Sequence, residues 1–184
     1  QDDLVFDGGS FMMNANKESL AQGPFNKEWV STVSFDTCPP RQFPEVILEE
    51  RIYGAATLGL SDYMKKTGQK KILLGLSGGV DSALAASIAA DAVGKANVHA
   101  LLMPSEFTSQ SSIDDAIECA KRLGISHETI SIAPMVESFM KLQPDTAGLA
   151  HENLQSRLRG LILMTRSNAT GAMVVSTGNK SEMS

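Results

Sequence analysis

The residues with the clearest chemical potential are 77–82, which read Ser-Gly-Gly-Val-Asp-Ser. They lie between an apolar segment that predicts a β-strand and an alanine-rich segment that predicts a helix. Glycines let the backbone approach a ligand with positive φ, and a helix N-terminus adds about half a positive charge. Amides that point into one concavity would therefore favour phosphate. Asp81 would repel a bare phosphate, so its presence favours a magnesium ion between them.

A strand-to-helix turn without any ligand has a similar composition, so the position of the run is what favours a functional loop. The run is not a Walker A loop, because it lacks Gly-Lys-Ser/Thr, and it is not a G-x-G-x-x-G fingerprint. It resembles the loop of the N-type ATP pyrophosphatases, which grip the pyrophosphate of ATP and transfer AMP to a substrate oxygen. GMP, asparagine and argininosuccinate synthetases and tRNA-modifying enzymes resemble it here too.

A second segment, residues 152–160, reads Glu-Asn-Leu-Gln-Ser-Arg-Leu-Arg-Gly within a predicted helix over 151–168. Asn153 and Arg157 are four apart and share one helix face. An amide beside a guanidinium suits a dinucleotide that carries carboxylate and phosphate groups. A solvated helix face with two arginines is the alternative, and this segment alone does not decide between them.

A third segment, residues 176–182, reads Ser-Thr-Gly-Asn-Lys-Ser-Glu and follows a predicted strand over 172–175. It therefore lies at the carboxyl end of a strand, where parallel sheets bind ligands. Thr177 is placed to donate a hydrogen bond to ATP, and Glu182 offers a second carboxylate beside Asp81 for magnesium. A Gly-Asn turn followed by a helix cap is the alternative.

These three segments, in this order, resemble the NAD synthetases over residues 45–184. The resemblance implies that Asn153, Arg157 and Glu182 bind deamido-NAD and that Asp81 and Glu182 hold magnesium. It assigns no catalytic side chain and gives Lys180 no role. The residues that it implies for ATP are Gly75, Leu76, Ser77, Gly78, Gly79, Val80, Asp81, Ser82 and Thr177.

The N-terminal residues carry a separate resemblance. Residues 1–8, Gln-Asp-Asp-Leu-Val-Phe-Asp-Gly, are similar to the end of the nitrilase-like glutaminase domain that precedes the synthetase in glutamine-dependent members. Residues 1–36 are then the C-terminal piece of an α/β/β/α nitrilase-like domain. Residues 37–44, with three prolines, are a linker, and residues 45–184 are the synthetase domain. We expect both ends to be cuts, with the nitrilase-type Glu, Lys and Cys upstream, since Cys38 does not match that motif.

The periodicity predicts an α/β fold, a doubly wound and mostly parallel sheet with helices on both faces, and the resemblance identifies it as adenine nucleotide alpha hydrolase-like. A helix from Glu45 ends at Gly68, another begins near Pro134, and Ser111 with Asp114 predicts a capping box. In the long helix, Leu154, Leu158, Leu161 and Ile162 form the predicted apolar face. The remaining predicted strands are 10–13, 31–35, 71–76, 97–103 and 128–132, and the remaining helices are 80–93 and 112–123.

Composition restricts the partners. The chain has 184 residues and a net charge of −5, so no general nucleic-acid-binding surface is visible. Its apolar runs are too short to span a membrane, and it shows no secretory signal. The two cysteines have no C-x-x-C spacing, and the three histidines, His99, His127 and His151, have no partner at ligand spacing. We expect a cytoplasmic homo-oligomer.

The resemblance implies ATP-dependent amidation of deamido-NAD through an acyl-adenylate, with ammonia taken from glutamine. ATP, deamido-NAD, and glutamine or ammonia are the substrates, and Mg²⁺ is the cofactor. One alternative is another adenylating amidotransferase such as a GMP synthetase, although residues 152–160 and 176–182 speak against it. A nucleotide-binding module without chemistry is the other, and it would not need the two carboxylates Asp81 and Glu182.

Overall fold

The computed structural model describes residues 4–35 and 37–178. The chain divides into two compact units, the first ending at Tyr63 and the second beginning at Met64. This division falls within α1, so the predicted boundaries at 37 and 45 remain predictions. The elements are β1 (Phe11–Met13), β2 (Ser19–Gln22), α1 (Leu48–Thr67), β3 (Ile72–Gly75), α2 (Val80–Val93), β4 (Val98–Leu102), α3 (Gln110–Leu123), β5 (Ser126–Thr129), α4 (Ala133–Leu142), α5 (Leu149–Thr170) and β6 (Met173–Val175).

The first unit contains an antiparallel hairpin of β1 and β2. The Asn-rich residues 14–17 predict a turn, and the turn between the two strands confirms it. The Asn14 side chain stabilises this turn by accepting from the amides of Asn16 (3.0 Å) and Glu18 (2.9 Å). Arg51, on the part of α1 within this unit, bonds Asp7 at 2.7 Å and lies 4.4 Å from the ring centroid of Phe25. One arginine thus ties the start of α1 to the β-rich segment.

The second unit is built on four parallel strands in the order β5-β4-β3-β6. The chain moves outward from β3 to β5 through α2 and α3, and then returns past β3 through α4 and α5 to β6. The strand order therefore reverses between β3 and β6. The predicted doubly wound parallel sheet is confirmed, and this reversal is the topological switch point where such sheets bind ligands.

Helices cover both faces of this sheet. Leu73 of β3 and Leu101 of β4 share a buried cluster with Val136 of α4 and Leu154 of α5. Because successive strand residues point to opposite faces, the strand neighbours of Leu73 and Leu101 point to the face that α2 and α3 contact. The buried strands explain why their sequences are continuously apolar instead of alternating.

The alanine-rich helix α2 has the bounds that its composition predicts. Ala86 and Ala89 are fully buried and three apart, so they lie on one helix face. Their small side chains let α2 pack closely on β3 and β4, which it contacts. Alanine also has the highest helix propensity, so local preference and tertiary packing agree in this segment.

Two predicted strands are wrong. Residues 31–35 form no strand and, apart from the partly buried Val33, are exposed, because alternation alone does not provide a partner strand. The strand predicted over 128–132 is β5, Ser126–Thr129. Ile132 instead precedes α4 as its N-cap and is fully buried, although its amide still donates to the Pro104 carbonyl at 3.0 Å.

Two local predictions about helices are also wrong. The N-cap of α3 is Ser109, whose side chain accepts from the Ser112 amide, so Ser111 and Asp114 form no capping box. Asp114 accepts instead from the Gln110 side chain at 2.9 Å. On α5, Leu161 is 55% exposed and is not part of the buried cluster that contains Leu154 and on which Leu158 and Ile162 pack, so it does not belong to the apolar face.

Candidate functional site

A pocket of about 480 Å³ opens in the second unit at the switch point between β3 and β6. Its volume is within the range of small-molecule sites. The carboxyl ends of β3, β4 and β6 form its floor, and one face each of α3 and α5 forms its walls. Its lining residues include Gly75, Leu76, Ser77, Ser82, Met103, Ser112, Ser156, Arg159, Gly160, Leu163 and Thr177.

The loop after β3 is held together by two serine hydroxyls. The Ser82 hydroxyl donates to the Gly79 carbonyl at 2.9 Å and accepts from the Ser77 amide at 3.2 Å. The Ser77 hydroxyl lies 3.1 Å from that of Ser82 and accepts from the Gly79 amide at 3.3 Å. Ser82 is almost fully buried. Its hydroxyl proton is engaged within the loop, so Ser82 shapes the loop, whereas Ser77 is exposed to the pocket.

The N-terminus of α2 opens at this loop without a side-chain cap. Its N-cap is Gly79, which has no side chain to accept from the first-turn amides. The first α2 amide with an intrahelical partner is that of Ala83, which donates to the Gly79 carbonyl at 3.2 Å. The preceding amides and the positive end of the helix dipole form the kind of site that binds phosphate.

The two glycines of the loop have different roles. Gly78 has φ +85°, and a Cβ at this position would collide with the backbone of Ser112 in α3. Gly79 has φ −83°, and a Cβ there would meet only the Ser77 hydroxyl, at 3.4 Å. The prediction that both glycines serve a positive φ is therefore correct for Gly78 alone.

The structure brings five of the residues predicted to bind ATP to the pocket wall: Gly75, Leu76, Ser77, Ser82 and Thr177. The other four, residues 78–81, form the loop and the first turn of α2 beside the pocket and do not line it. Val80 is 79% exposed, so its side chain points to solvent. Any direct contact from residues 78–81 to a phosphate would come from backbone amides, since the Asp81 carboxylate would reach a phosphate only through a bound cation.

Two of the residues predicted to bind deamido-NAD, Asn153 and Arg157, are not in the pocket wall. Asn153 and Arg157 lie on α5 and are exposed. Gly160, three residues after Arg157 and therefore close to it on the helix surface, does line the pocket. Glu182, predicted both for deamido-NAD and for magnesium, lies outside the described residues.

The structure adds residues of α5 to the pocket that the sequence reasoning missed. Ser156, Arg159, Gly160 and Leu163 line it. Their spacing of three, four and seven marks one helix face, and this periodicity was the available signal. The Arg159 Nε donates to the Met103 carbonyl at 3.0 Å, and burial lowers the pKa of its guanidinium.

Asp81 is the residue of the loop that could bind a metal ion. The described part of the chain contains no group of three or more His, Cys, Asp or Glu residues placed to hold a metal. Asp81 is exposed in the first turn of α2 and makes no ion pair with any described residue. Magnesium at nucleotide sites commonly takes only one or two carboxylates and completes its shell with substrate phosphates and water, so Asp81 fits such an ion.

The three histidines have structural surroundings. The His99 Nδ1 lies 2.8 Å from the Ser126 hydroxyl and its Nε2 is 3.8 Å from Glu128, which Arg166 also contacts at 2.9 Å. His151 packs edge-on against Phe107, and the partly buried His127 makes no polar side-chain contact with the described residues. None of the three lines the pocket. Among the described residues, no helix is both long and apolar enough to cross a membrane.

Comparison with known proteins gives one family. The family model described as NAD synthase matches residues 52–184. The glutamine-dependent NAD(+) synthetase of Rhodobacter capsulatus is 46% identical over 100% of this chain. The chain covers 35% of that relative, so it spans about a third of its length.

Two solved structures show the same fold. The glutamine-dependent NAD+ synthetase of Acinetobacter baumannii, solved in complex with adenosine diphosphate, matches with a TM-score of 0.91 and 42% identity. That match covers 100% of this chain and 36% of the other. The NH3-dependent NAD synthetase of Campylobacter jejuni, solved with nitrate, matches with a TM-score of 0.70 and 29% identity, over 75% of this chain and 60% of the other.

Proposed function

Because this chain belongs to the NAD synthase family, we propose that the protein containing it amidates deamido-NAD to NAD, using ATP and ammonia released from glutamine. The observation that carries the proposal is the pocket at the switch point. There the uncapped N-terminus of α2 and the loop 77–82 lie at the end of β3, and Thr177 follows the neighbouring β6. This arrangement can hold a triphosphate at one end of the cavity.

The reaction has two steps. A carboxylate oxygen of the nicotinate attacks the α-phosphorus of ATP, the bond to the β-phosphate oxygen breaks, and pyrophosphate leaves. Ammonia then attacks the acyl carbon, loses a proton to solvent, and AMP leaves with the former carboxylate oxygen. Adenylation is needed because oxide is a poor leaving group and AMP is a good one. The task of the protein is to position the reactants and to neutralise charge.

The loop residues bind the pyrophosphate part of ATP. The first-turn amides of α2 and the Ser77 hydroxyl supply the hydrogen-bond donors, while Ser82 keeps the loop in shape from inside. Gly75 leaves space at the floor of the pocket, because a Cβ at this position would lie only 3.2 Å from the Met103 side chain. Thr177 donates from the opposite side of the switch point.

Magnesium would be held by Asp81 and by Glu182. When bound, it would neutralise charge on the phosphates and on the leaving pyrophosphate. Asp81→Asn in the full-length protein removes one anionic ligand at an exposed position, so the protein should fold but lose pyrophosphate release that depends on deamido-NAD. Asp91→Asn, later on the same helix, is a matched control. Unchanged rates for Asp81→Asn at limiting magnesium would exclude the role.

Deamido-NAD is assigned to the outer part of the site. With the triphosphate of ATP at the loop, the dinucleotide would extend from the pocket to the surface beside it. Asn153 and Arg157 lie on that exposed part of α5, four residues apart on one face. They can bind the phosphate or carboxylate groups of the dinucleotide through an amide and a guanidinium.

We assign residues 1–36 to the end of a nitrilase-like glutaminase domain, with residues 37–44 as the linker. The hairpin presents Phe11 and Met13 on one side, 71% and 41% exposed, and Phe6 is 77% exposed. A two-stranded hairpin with an uncovered apolar side needs a further sheet or helix to cover it. The rest of an amidase domain would provide that cover and would release the ammonia.

We also propose a cytoplasmic location and a homo-oligomeric assembly. Cys38 and Cys119 are free thiols, as is usual in a reducing cytoplasm. Burial raises the pKa of the Cys119 thiol. On α5, Leu161 and Met164 are 55% and 52% exposed. A second copy covering that surface would make the homo-oligomer that we expect, and sedimentation velocity would measure it.

The proposed function is tested by product identity. The full-length protein, supplied with ATP, deamido-NAD and ammonium, should form NAD, AMP and pyrophosphate in equal amounts. A GMP synthetase-like enzyme would ignore deamido-NAD and use xanthosine monophosphate. A non-catalytic module would bind ATP and release nothing. Formation of ADP and phosphate would show attack at the γ-phosphorus, which contradicts the proposal.

A further inference from the structure

We propose that Arg159 binds a substrate oxyanion inside the pocket, with its guanidinium held in place by the Met103 carbonyl. The inference deepens the proposed function and rests on it, because the oxyanion must belong to ATP or to deamido-NAD. Arg159 lies within the segment 152–160, but the sequence analysis gives it no role. Its place follows from the hydrogen bonds at the end of β4, from its charge and from the pocket that it lines.

The hydrogen bonds of the sheet explain why an arginine is needed at this point. Beside β3, the Leu101 carbonyl accepts from the Leu76 amide at 2.9 Å. Ser77, beyond the end of β3, turns into the loop, where its amide donates to the Ser82 hydroxyl. Strand carbonyls alternate in direction, so the next β4 carbonyl pointing this way is that of Met103. The matching amide would be that of Gly78, two residues after Leu76, but Gly78 lies in the loop after β3 and makes no backbone bond to this carbonyl.

Arg159 takes the place of the missing strand amide. Its Nε donates to the Met103 carbonyl at 3.0 Å, across 56 residues of sequence. The carbonyls of Leu102 and Pro104, on the other side of β4, are already paired with the amides of Ile130 and Ile132. One bond from α5 therefore closes the sheet end where it opens into the pocket. It also fixes the plane of the guanidinium, because Nε and the two Nη atoms are coplanar.

The charge of Arg159 is left without a partner. It is the one charged residue among the described residues that line the pocket, and no described carboxylate pairs with it. Burial lowers the pKa of the guanidinium, which records the cost of holding an unpaired cation away from water. Its Nη groups have no recorded acceptor within the described part of the chain. A half-buried cation with free donors in a pocket is stabilised by an anion.

A phosphate of ATP is the favoured anion. The same cavity is lined by Ser77 and Thr177 and lies beside the α2 N-terminus. These groups are hydrogen-bond donors that also suit phosphate. The carboxylate of deamido-NAD has the same chemistry, an oxyanion that accepts two parallel N–H bonds from a guanidinium. Both sources are therefore tested in one experiment, through ligand pairs that differ in the anionic group.

The experiment compares Arg159→Gln and Arg159→Lys with wild type in the full-length protein. Arg122→Gln is the matched control, since Arg122 is exposed on α3 and paired with Glu118. Dissociation constants are measured for ATP against adenosine, and for deamido-NAD against NAD, which differ only in carboxylate and amide. Melting temperatures record folding. Arg159→Gln should weaken one ligand roughly ten- to hundredfold more than the counterpart that lacks its triphosphate or its carboxylate.

In one ligand pair, the ratio of the two dissociation constants should fall in Arg159→Gln. That pair identifies which substrate carries the oxyanion. Arg159→Lys should restore part of that discrimination, because it keeps the charge but loses the fixed fork. If Arg159→Gln does not fold, the lysine variant carries the test, with a smaller loss in the same pair. Equal weakening within both pairs, or none, overturns the inference in favour of a purely structural bond to Met103. A wild-type protein that makes no NAD overturns the proposed function instead.

Discussion

At the residue scale, the loop depends on Gly78 more than on Gly79. Gly78 combines a positive φ with a backbone contact to α3, so a side chain is excluded twice. Gly79 has ordinary extended geometry and serves by lacking a capping side chain. The sequence could predict that glycine is needed here. It could not tell which glycine is indispensable, because that depends on where α3 packs.

Gly78→Ala should lower the free energy of unfolding by about 2 kcal/mol or more, from left-handed strain of about 1–2 kcal/mol plus the collision with Ser112. Gly79→Ala, at an N-cap, should cost less than about 1 kcal/mol. Melting temperatures of the two variants make the comparison. Equal losses would mean that the contact between the loop and α3 is wrong.

Asn153→Ala and Arg157→Ala should weaken deamido-NAD far more than ATP, since both residues are exposed on α5 outside the pocket wall. Loss of one hydrogen bond to a charged group is worth about 1.5–3 kcal/mol, or roughly ten- to hundredfold in affinity. Calorimetric titration of each ligand measures the effect, with Arg122→Ala as control. An equal fall in ATP affinity would place this face at the nucleotide instead.

Arg159 shows what residue types alone do not reveal. Arg157 and Arg159 are two residues apart and look equivalent in the sequence, yet only Arg159 lines the pocket. The difference is about 200° of rotation around α5. It is decided by which side of the helix packs on the sheet. Arg159 lies three and four residues before Ile162 and Leu163, which pack against the buried cluster, whereas Arg157 does not share that side.

At the scale of elements, sequence patterns predicted α2 with both ends correct and placed β3, β4, β6 and α5 within a few residues. Those segments combine strong propensity with burial. The sequence pattern failed where contact with a neighbouring element decides the local structure. Residues 31–35 alternate but have no partner strand, and β5 ends early because Ile132 is fully buried at the start of α4.

The cap of α3 is a local choice that also depends on neighbours. Ser109, Ser111 and Ser112 are all capable of capping, and the structure selects Ser109, which accepts from the Ser112 amide at 3.2 Å. Ser109→Ala should therefore lower stability by about 1 kcal/mol. Ser111→Ala should change it by less than about 0.5 kcal/mol, because it caps no backbone amide. Thermal melts of the two variants decide, and the reverse order would contradict the assigned cap.

At the scale of the whole molecule, order along the chain explains the site better than any single motif. The chain runs outward through β4 and β5 before it returns to β6, so loop 77–82 and residues 176–177 become neighbours although about 100 residues separate them. The sequence reasoning expected both at the carboxyl ends of strands. Their direct adjacency required the strand order, which only the structure provides.

The N-terminal unit leads to a prediction about the longer polypeptide. Its exposed apolar hairpin should be covered by an amidase domain that contains a catalytic cysteine upstream of Gln1. Alkylation of that cysteine should abolish NAD synthesis from glutamine and leave synthesis from ammonium intact, because the ATP site is separate from it. Parallel assays with the two nitrogen sources measure this. An upstream sequence without Glu, Lys and Cys of the nitrilase type would defeat the assignment.

The central claim is that the substrate carboxylate attacks the α-phosphorus of ATP in this pocket. It is tested most directly with deamido-NAD labelled with ¹⁸O in the nicotinate carboxylate, ATP, and the full-length protein. Each turnover should move one labelled oxygen into AMP, leave pyrophosphate unlabelled and leave one labelled oxygen in the amide of NAD. Mass spectrometry of the three products reads the result. Label in inorganic phosphate, or AMP without label, would contradict the account.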